Sequence, residues 1–165
     1  MQFLKKGLCA LTFGMFCNEP LLKKGDKAPD FKLLDQNGAA VSLHNLLAKK
    51  KKIALVFYPR DNTTTCTKQL KKLNQNTSLL NAKNILIYAI SANTPKSHLE
   101  FKAKGQFDFN FLTATEEFLT KYNASGIVLN KRKTVLINED GFIVSIINDV
   151  IIDEHTQQII NAFGA

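Results

Sequence analysis

The sequence is poor in the residues that would tie it to several common kinds of function. Its three cysteines, Cys9, Cys17 and Cys66, form no Cys-x-x-Cys spacing and cannot close a disulfide framework, which argues against a structural zinc site or a stapled mini-domain. The histidines, His44, His98 and His155, lie far apart without ligand spacing, so each is expected to be a surface or cap residue. Arginine is nearly absent: Arg60 and Arg132 are the two, and lysine supplies the rest of the net charge of +8. A nucleic-acid surface favours arginine forks and stacking aromatics, so no nucleic-acid partner is expected. The run Lys49 to Lys52 reads as a solvated turn rather than a binding patch. No apolar run is long enough to span a bilayer as a helix, and no stable membrane insertion is expected. Long low-complexity tracts are missing too, and at 165 residues with 45% hydrophobic content the chain reads as one globular domain without need of a staple.

Residues 1–20 stand apart from the remainder, residues 21–165. A short basic start, an apolar stretch from Gly7 to Cys17 and the break at Asn18-Glu19-Pro20 outline a secretory leader. The small-x-small cleavage pattern is poor, however, so a retained N-terminal extension and a start at Met15 stay open. A cleaved leader would imply export to the periplasm, and a retained one the cytoplasm.

What the chain does contain is organised around Ile53 to Gln69, IALVFYPRDNTTTCTKQ. Ile53 to Tyr58 is a continuous run of strand formers ending at Pro59, which biases Tyr58 towards an extended conformation; the run predicts a strand buried on both faces. Arg60 to Thr65 is rich in turn and cap formers, and from Lys68 an amphipathic helix with Leu70, Leu73 and Leu80 is predicted. Cys66 therefore sits where a strand turns into a helix. The first turn of a helix has unpaired N–H groups and the positive end of the dipole, and a nearby cation adds to surroundings that favour a thiolate. Arg60 is placed to supply that cation. Thr63, three residues earlier, has the spacing of an N-cap hydroxyl facing the group at N3. A reachable thiolate is a nucleophile.

The other elements follow from local pattern. A hairpin turned at Asn37-Gly38 spans Phe31 to Leu43, and Asn84 to Ser91 is a second buried strand. Pro95 opens a helix to about Lys104 with Gly105 as its stop. Phe107 to Leu112 is extended, and Thr115 to Asn123 is a short helix burying Phe118, Leu119 and Tyr122. Thr134 to Asn138 is a third strand, turned by Glu139-Asp140-Gly141 into Phe142 to Ile147, and a last helix from Asp153 buries Ile159, Ile160 and Phe163. This order predicts an α/β fold, a mixed central sheet flanked by helices of thioredoxin-like type.

Pro59, Thr63 and Cys66 also fit Pro-x-x-x-Thr-x-x-Cys, and with KKGDKAPDF, DQNG, VSL, VFYPRDNTTTCT, AIS and LINEDG the chain from Leu22 onwards resembles the peroxiredoxins. The likeness is to the PrxQ, or bacterioferritin comigratory protein, subfamily. The resemblance implies a thiol-dependent peroxidase in which Cys66 attacks the O–O bond of hydrogen peroxide or an organic hydroperoxide and becomes a sulfenic acid. It further implies that Thr63 holds the sulfur and a peroxide oxygen, that Arg132 stabilises the thiolate, that Pro59 shields the pocket, and that the Thr65 and Cys66 N–H groups meet the peroxide oxygens. No metal, flavin or haem is called for. Four positions depart from the family: Thr64-Thr65 replaces a frequent Pro-Gly, Gln69 a frequent acid, and Lys71 the resolving cysteine found in many members. The resemblance then implies a one-cysteine cycle, recycled by thioredoxin, glutaredoxin or glutathione in a monomer or weak dimer. Cys9 or Cys17 as resolving residue is the alternative, and a redox sensor of the same fold with little turnover is the competing function.

Overall fold

The apolar run at Ile53 forms the centre of the molecule. The computed structural model describes residues 20–164; the proposed leader, Met15, Cys9 and Cys17 lie outside the described residues. In chain order the elements are β1 (Lys32–Asp35), β2 (Ala40–Ser42), α1 (Leu43–Leu47), β3 (Lys52–Phe57), α2 (Thr64–Asn74), α3 (Thr77–Ala82), β4 (Ile85–Ser91), α4 (Pro95–Gly105), β5 (Asn110–Thr113), α5 (Glu116–Lys121), β6 (Lys133–Ile137), β7 (Ile143–Ile147) and α6 (His155–Gly164). A 3-10 turn, Ile152–Glu154, leads into α6. The sheet has seven strands in the order β2-β1-β5-β4-β3-β6-β7. β3, β4 and β5 run parallel, while β6 and β7 on one side and β1 and β2 on the other are antiparallel.

Because successive strand side chains point to opposite faces, β3 feeds two cores. Ile53, Leu55 and Phe57 pack with Phe31, Leu46, Phe118 and Tyr122, beneath α1 and α5. Ala54, Val56 and Tyr58 pack with Cys66, Leu70, Leu73, Phe101 and Ile159, beneath α2, α4 and α6. In the first core Phe57 stacks on Phe118 at 5.7 Å between ring centres. Both faces of the strand are dry, as its unbroken apolar sequence requires. No described helix is long and apolar enough to cross a membrane.

Three expectations need correction. The helix after Cys66 begins at Thr64 rather than Lys68, and it is two helices: α2 ends at Asn74, and Leu80 belongs to α3. The break has a local cause, since Asn76 Nδ2 donates to the Lys72 carbonyl and Thr77 Oγ1 to that of Asn74, side-chain bonds that compete with the helical ladder. His98 and His155 are buried, and only His44 is exposed as expected. Each buried ring is held by a polar partner on another element, a long-range contact that spacing does not reveal.

Candidate active site

Position and face together explain why Cys66 is where it is. Thr63 has extended N-cap backbone angles (φ −84°, ψ 150°), so Thr64, Thr65 and Cys66 occupy N1, N2 and N3. The first helical bond runs from Thr67 N–H to the Thr63 carbonyl at 2.9 Å. The N–H groups of residues 64–66 thus precede the ladder and point out of the helix start. Cys66, Leu70 and Leu73 follow the i, i+4, i+7 rhythm that turns one face of α2 onto the sheet. The sulfur is carried to the sheet by the same periodicity that buries the leucines.

Arg132 arrives from the opposite direction. The antiparallel register pairs Phe57 with Lys133 and Val56 with Thr134, so residue 132 lies level with the exit of β3. Alternation then sorts the neighbours. Lys133 turns to the α5 face, where its Nζ donates to the Tyr122 carbonyl at 3.0 Å and burial pulls its pKa down to about 8. Arg132 and Thr134 take the α2 face. Arg132 Nη2 lies 3.5 Å from Cys66 Sγ, and Nη1 donates to Gln69 Oε1, one turn further along α2. A guanidinium bridging Sγ and a neutral amide is oriented to stabilise negative charge on the sulfur.

The surroundings of this pair are cationic or neutral. Among the described residues no ion pair joins Arg132 to a carboxylate. Gln69 is fully buried, and its Nε2 has no hydrogen-bond partner. His155, at the start of α6, has Nε2 2.8 Å from Thr134 Oγ1. Burial first, and then the charge of Arg132, pull its pKa down to about 4. The ring is therefore neutral at ordinary pH, which keeps a second positive charge away from the guanidinium.

The structure brings together Cys66 and Arg132 as expected, with Pro59 half-buried at the head of the turn, and departs from expectation elsewhere. The Thr63 hydroxyl does not cap the helix or face the sulfur; it donates to the Arg60 carbonyl at 3.2 Å. Arg60 is exposed and lines a groove with Pro59, Asn93 and Val128, so the cation at the sulfur is Arg132. The sulfur is also less open than expected: Cys66 is only 1% exposed, because the helical face that carries it is the face that packs. Of the basic run Lys131 to Lys133, only Lys131 is exposed.

Sequence reasoning missed a polar centre under the same turn. The Asp61 side chain is 1% exposed, and its carboxylate contacts Tyr58, Ser97 and His98. The usable signal was a charged residue two positions after Pro59, with a left-handed residue, Asn62 (φ 59°), directly behind it. Among the described residues no group of three or more His, Cys, Asp and Glu could hold a metal ion.

Comparison with known proteins gives a family and a fold. Residues 24–146 match the AhpC/TSA family. A peroxiredoxin bcp of Coxiella burnetii is 31% identical over 150 residues, 84% of this chain and 97% of its own. A chloroplastic peroxiredoxin Q of Oryza sativa is 31% identical over 133 residues, 78% of this chain and 60% of its own. Among solved structures, peroxidoxin BcpB of Mycobacterium tuberculosis superposes with a TM-score of 0.80 at 22% identity, over 87% of this chain and 97% of its own. A PrxQ variant of Xylella fastidiosa also gives a TM-score of 0.80, at 21% identity, over 88% and 97%.

Proposed function

The chain belongs to the AhpC/TSA family, on its peroxiredoxin Q branch, and as a peroxiredoxin it is a thiol-dependent peroxidase; we propose that Cys66 is the residue that reacts with peroxide. The observation that carries this reading is Arg132 Nη2 at 3.5 Å from Cys66 Sγ, in a site where no described carboxylate competes for the guanidinium. Cys66 Sγ attacks the terminal peroxide oxygen as a thiolate, the O–O bond breaks, and the departing oxygen takes a proton to leave as water or an alcohol. Arg132 and the N–H groups at the start of α2 stabilise the charge that develops across the breaking bond. Pro59 closes the head of the turn against water. Thr63 contributes its backbone at the N-cap, and we assign its hydroxyl to the peroxide only after it releases the Arg60 carbonyl.

Among the described residues Cys66 is the sole cysteine, and Lys71, one turn on, is exposed, which supports a one-cysteine cycle. An external thiol, from thioredoxin, glutaredoxin or glutathione, condenses with the sulfenic acid to release water, and a second thiol frees Cys66 from the mixed disulfide. With Cys66 1% exposed, a small oxidant reaches its sulfur more readily than a bulky thiol, so recycling calls for the first turn of α2 to open. A monomer or weak dimer suffices for this chemistry.

The test is peroxide consumption by the full chain and by Cys66→Ser, each with the three thiol reductants in turn. The expected result is turnover in the wild type with at least one reductant and none in the variant. Equal turnover in both removes Cys66 from the reaction. The buried sulfur also favours a second reading, a redox sensor, which would show Cys66 oxidised by peroxide yet recycled by none of the reductants.

A further inference from the structure

Beneath the turn that delivers Cys66 lies a buried carboxylate with no part in the chemistry above. Tyr58 Oη donates to Asp61 Oδ1 at 2.5 Å and Ser97 Oγ to Oδ2 at 2.7 Å. His98 Nδ1 sits 3.0 Å from Oδ2 and 3.2 Å from Oδ1; an ionised carboxylate only accepts, so the proton on this ring is assigned to Nδ1. The Asp61 N–H is held as well, donating to Asn93 Oδ1 at 3.1 Å, and that oxygen also accepts from Ser91 Oγ at 2.9 Å. Burial alone would raise the Asp61 carboxyl, but the hydrogen bonds from His98 and Tyr58 outweigh it and hold the group below its ordinary value.

A buried charge is expensive unless every lone pair is answered, and an apolar side chain of similar volume is commonly no less stable. Filling space therefore does not account for Asp61. Its place in the chain does. Asp61 lies between Pro59 and Thr63, its successor Asn62 adopts the left-handed region (φ 59°), and Thr63 starts α2. Wherever Asp61 is pinned, the helix start and its three outward N–H groups follow. The pins come from the end of β3 and from β4 and α4, whereas Arg132 reaches the sulfur from β6 on the other side of β3. Residues 59–63 are thus fixed by elements independent of the one that carries the guanidinium.

We propose that Asp61, clamped by His98, Tyr58 and Ser97, is a positioning residue of the peroxide reaction, which fixes the Pro59–Thr63 turn so that Cys66 Sγ and the Thr64–Cys66 N–H groups face Arg132 and the oxidant together. This rests on the reading of Cys66 as the peroxide-reactive residue.

The experiment uses the full chain and its Asp61→Asn, Tyr58→Phe and Ser97→Ala variants. For each, the second-order rate constants of Cys66 with hydrogen peroxide and with iodoacetamide are measured. Both reactions need a reachable thiolate, but only the peroxide needs an aligned array of donors, so the ratio of the two reports positioning. A change in folded fraction moves both rates together, and a turn that only loosens raises the iodoacetamide rate while leaving the peroxide rate unchanged, so positioning is read from a ratio that falls through the peroxide rate. The ratio is expected to fall about tenfold or more in Asp61→Asn, since a displacement near ~1 Å can cost on the order of a hundredfold. A smaller fall is expected in Tyr58→Phe and Ser97→Ala, which keep the carboxylate and remove one donor each. If Asp61→Asn fails to fold, these two variants, checked by circular dichroism, decide the matter. Wild-type ratios in folded variants overturn the positioning role and leave the Cys66 chemistry standing; a wild type no faster with peroxide than Cys66→Ser overturns both.

Discussion

The start of α2 is gripped by two polar centres that differ in sign and in how far their charge is balanced. On the α4 side the anion of Asp61 has Tyr58, Ser97 and His98 around it and an anchored backbone N–H. On the α6 side the cation of Arg132 has a neutral amide, a sulfur and a neutral imidazole nearby, and no described carboxylate. The first centre answers its charge within itself, leaving one buried atom, His98 Nε2, without a partner. The second is open in charge, and the group beside it is the sulfur of Cys66, 3.5 Å from Arg132 Nη2. A site of this kind can draw rigidity from the charge-balanced network and reactivity from the unbalanced one, with the two on opposite sides of one helix turn so that neither neutralises the other.

The contrast can be broken most severely at Arg132. Arg132→Met keeps bulk and removes the charge, and the rate of Cys66 oxidation by hydrogen peroxide is expected to fall about 100- to 1000-fold, the usual cost of deleting one donor to a developing charge. Stopped-flow or competition kinetics measure it. The next effect is on stability. His155 has its pKa pulled down to about 4 by burial and by Arg132, so between that value and the ordinary histidine value of ~6.5 the unfolded chain binds the extra proton. Stability is fully present above about pH 6.5 and falls as the pH drops towards about 4, by roughly 3 kcal/mol at most. Denaturant midpoints at stepped pH read this loss, and His155→Gln is expected to flatten that part of the curve.

A gentler change tests the missing carboxylate. Gln69→Glu places an anion on Arg132 without altering the length of the side chain. The rate of Cys66 oxidation by hydrogen peroxide at neutral pH is expected to fall about tenfold, because the guanidinium then serves two anions. An unchanged rate would show that the neutrality of Gln69 is irrelevant to the sulfur. The smallest effect is expected outside both centres. Lys68 and Lys72 reach Asp153 at 3.1 and 3.4 Å on the open surface, and exposed pairs of this kind contribute little. Asp153→Ala should leave the thermal midpoint and the peroxide rate at wild-type values.

Local pattern carried most of the architecture. The apolar run at Ile53, Pro59 at its end, the hairpin glycines and the leucine spacing after Cys66 each act within a few residues, and each element they predict is present. The helix break at Asn74 to Asn76 escaped because those side chains satisfy the backbone locally, a competition that apolar periodicity does not register. Arg132 came from family likeness rather than from its own neighbourhood, where a run of three basic residues reads as surface. Only strand parity separates it from Lys133, which points the other way into the opposite core. Asp61 and His98 were invisible as a pair because 37 residues separate them.

The sequence by itself determined that residue 66 would stand in the first turn of a helix, behind a doubly buried strand. Those facts depend on backbone propensity and on the 2.0 and 3.6 residue periods, which are local. Tertiary structure alone decided which charges meet that sulfur and how far it is sealed from water. Electrostatic contact acts through space, and the register between β3 and β6 and the crossing from β4 to α4, set by packing of the whole sheet, bring residues 132, 61 and 98 to the same turn.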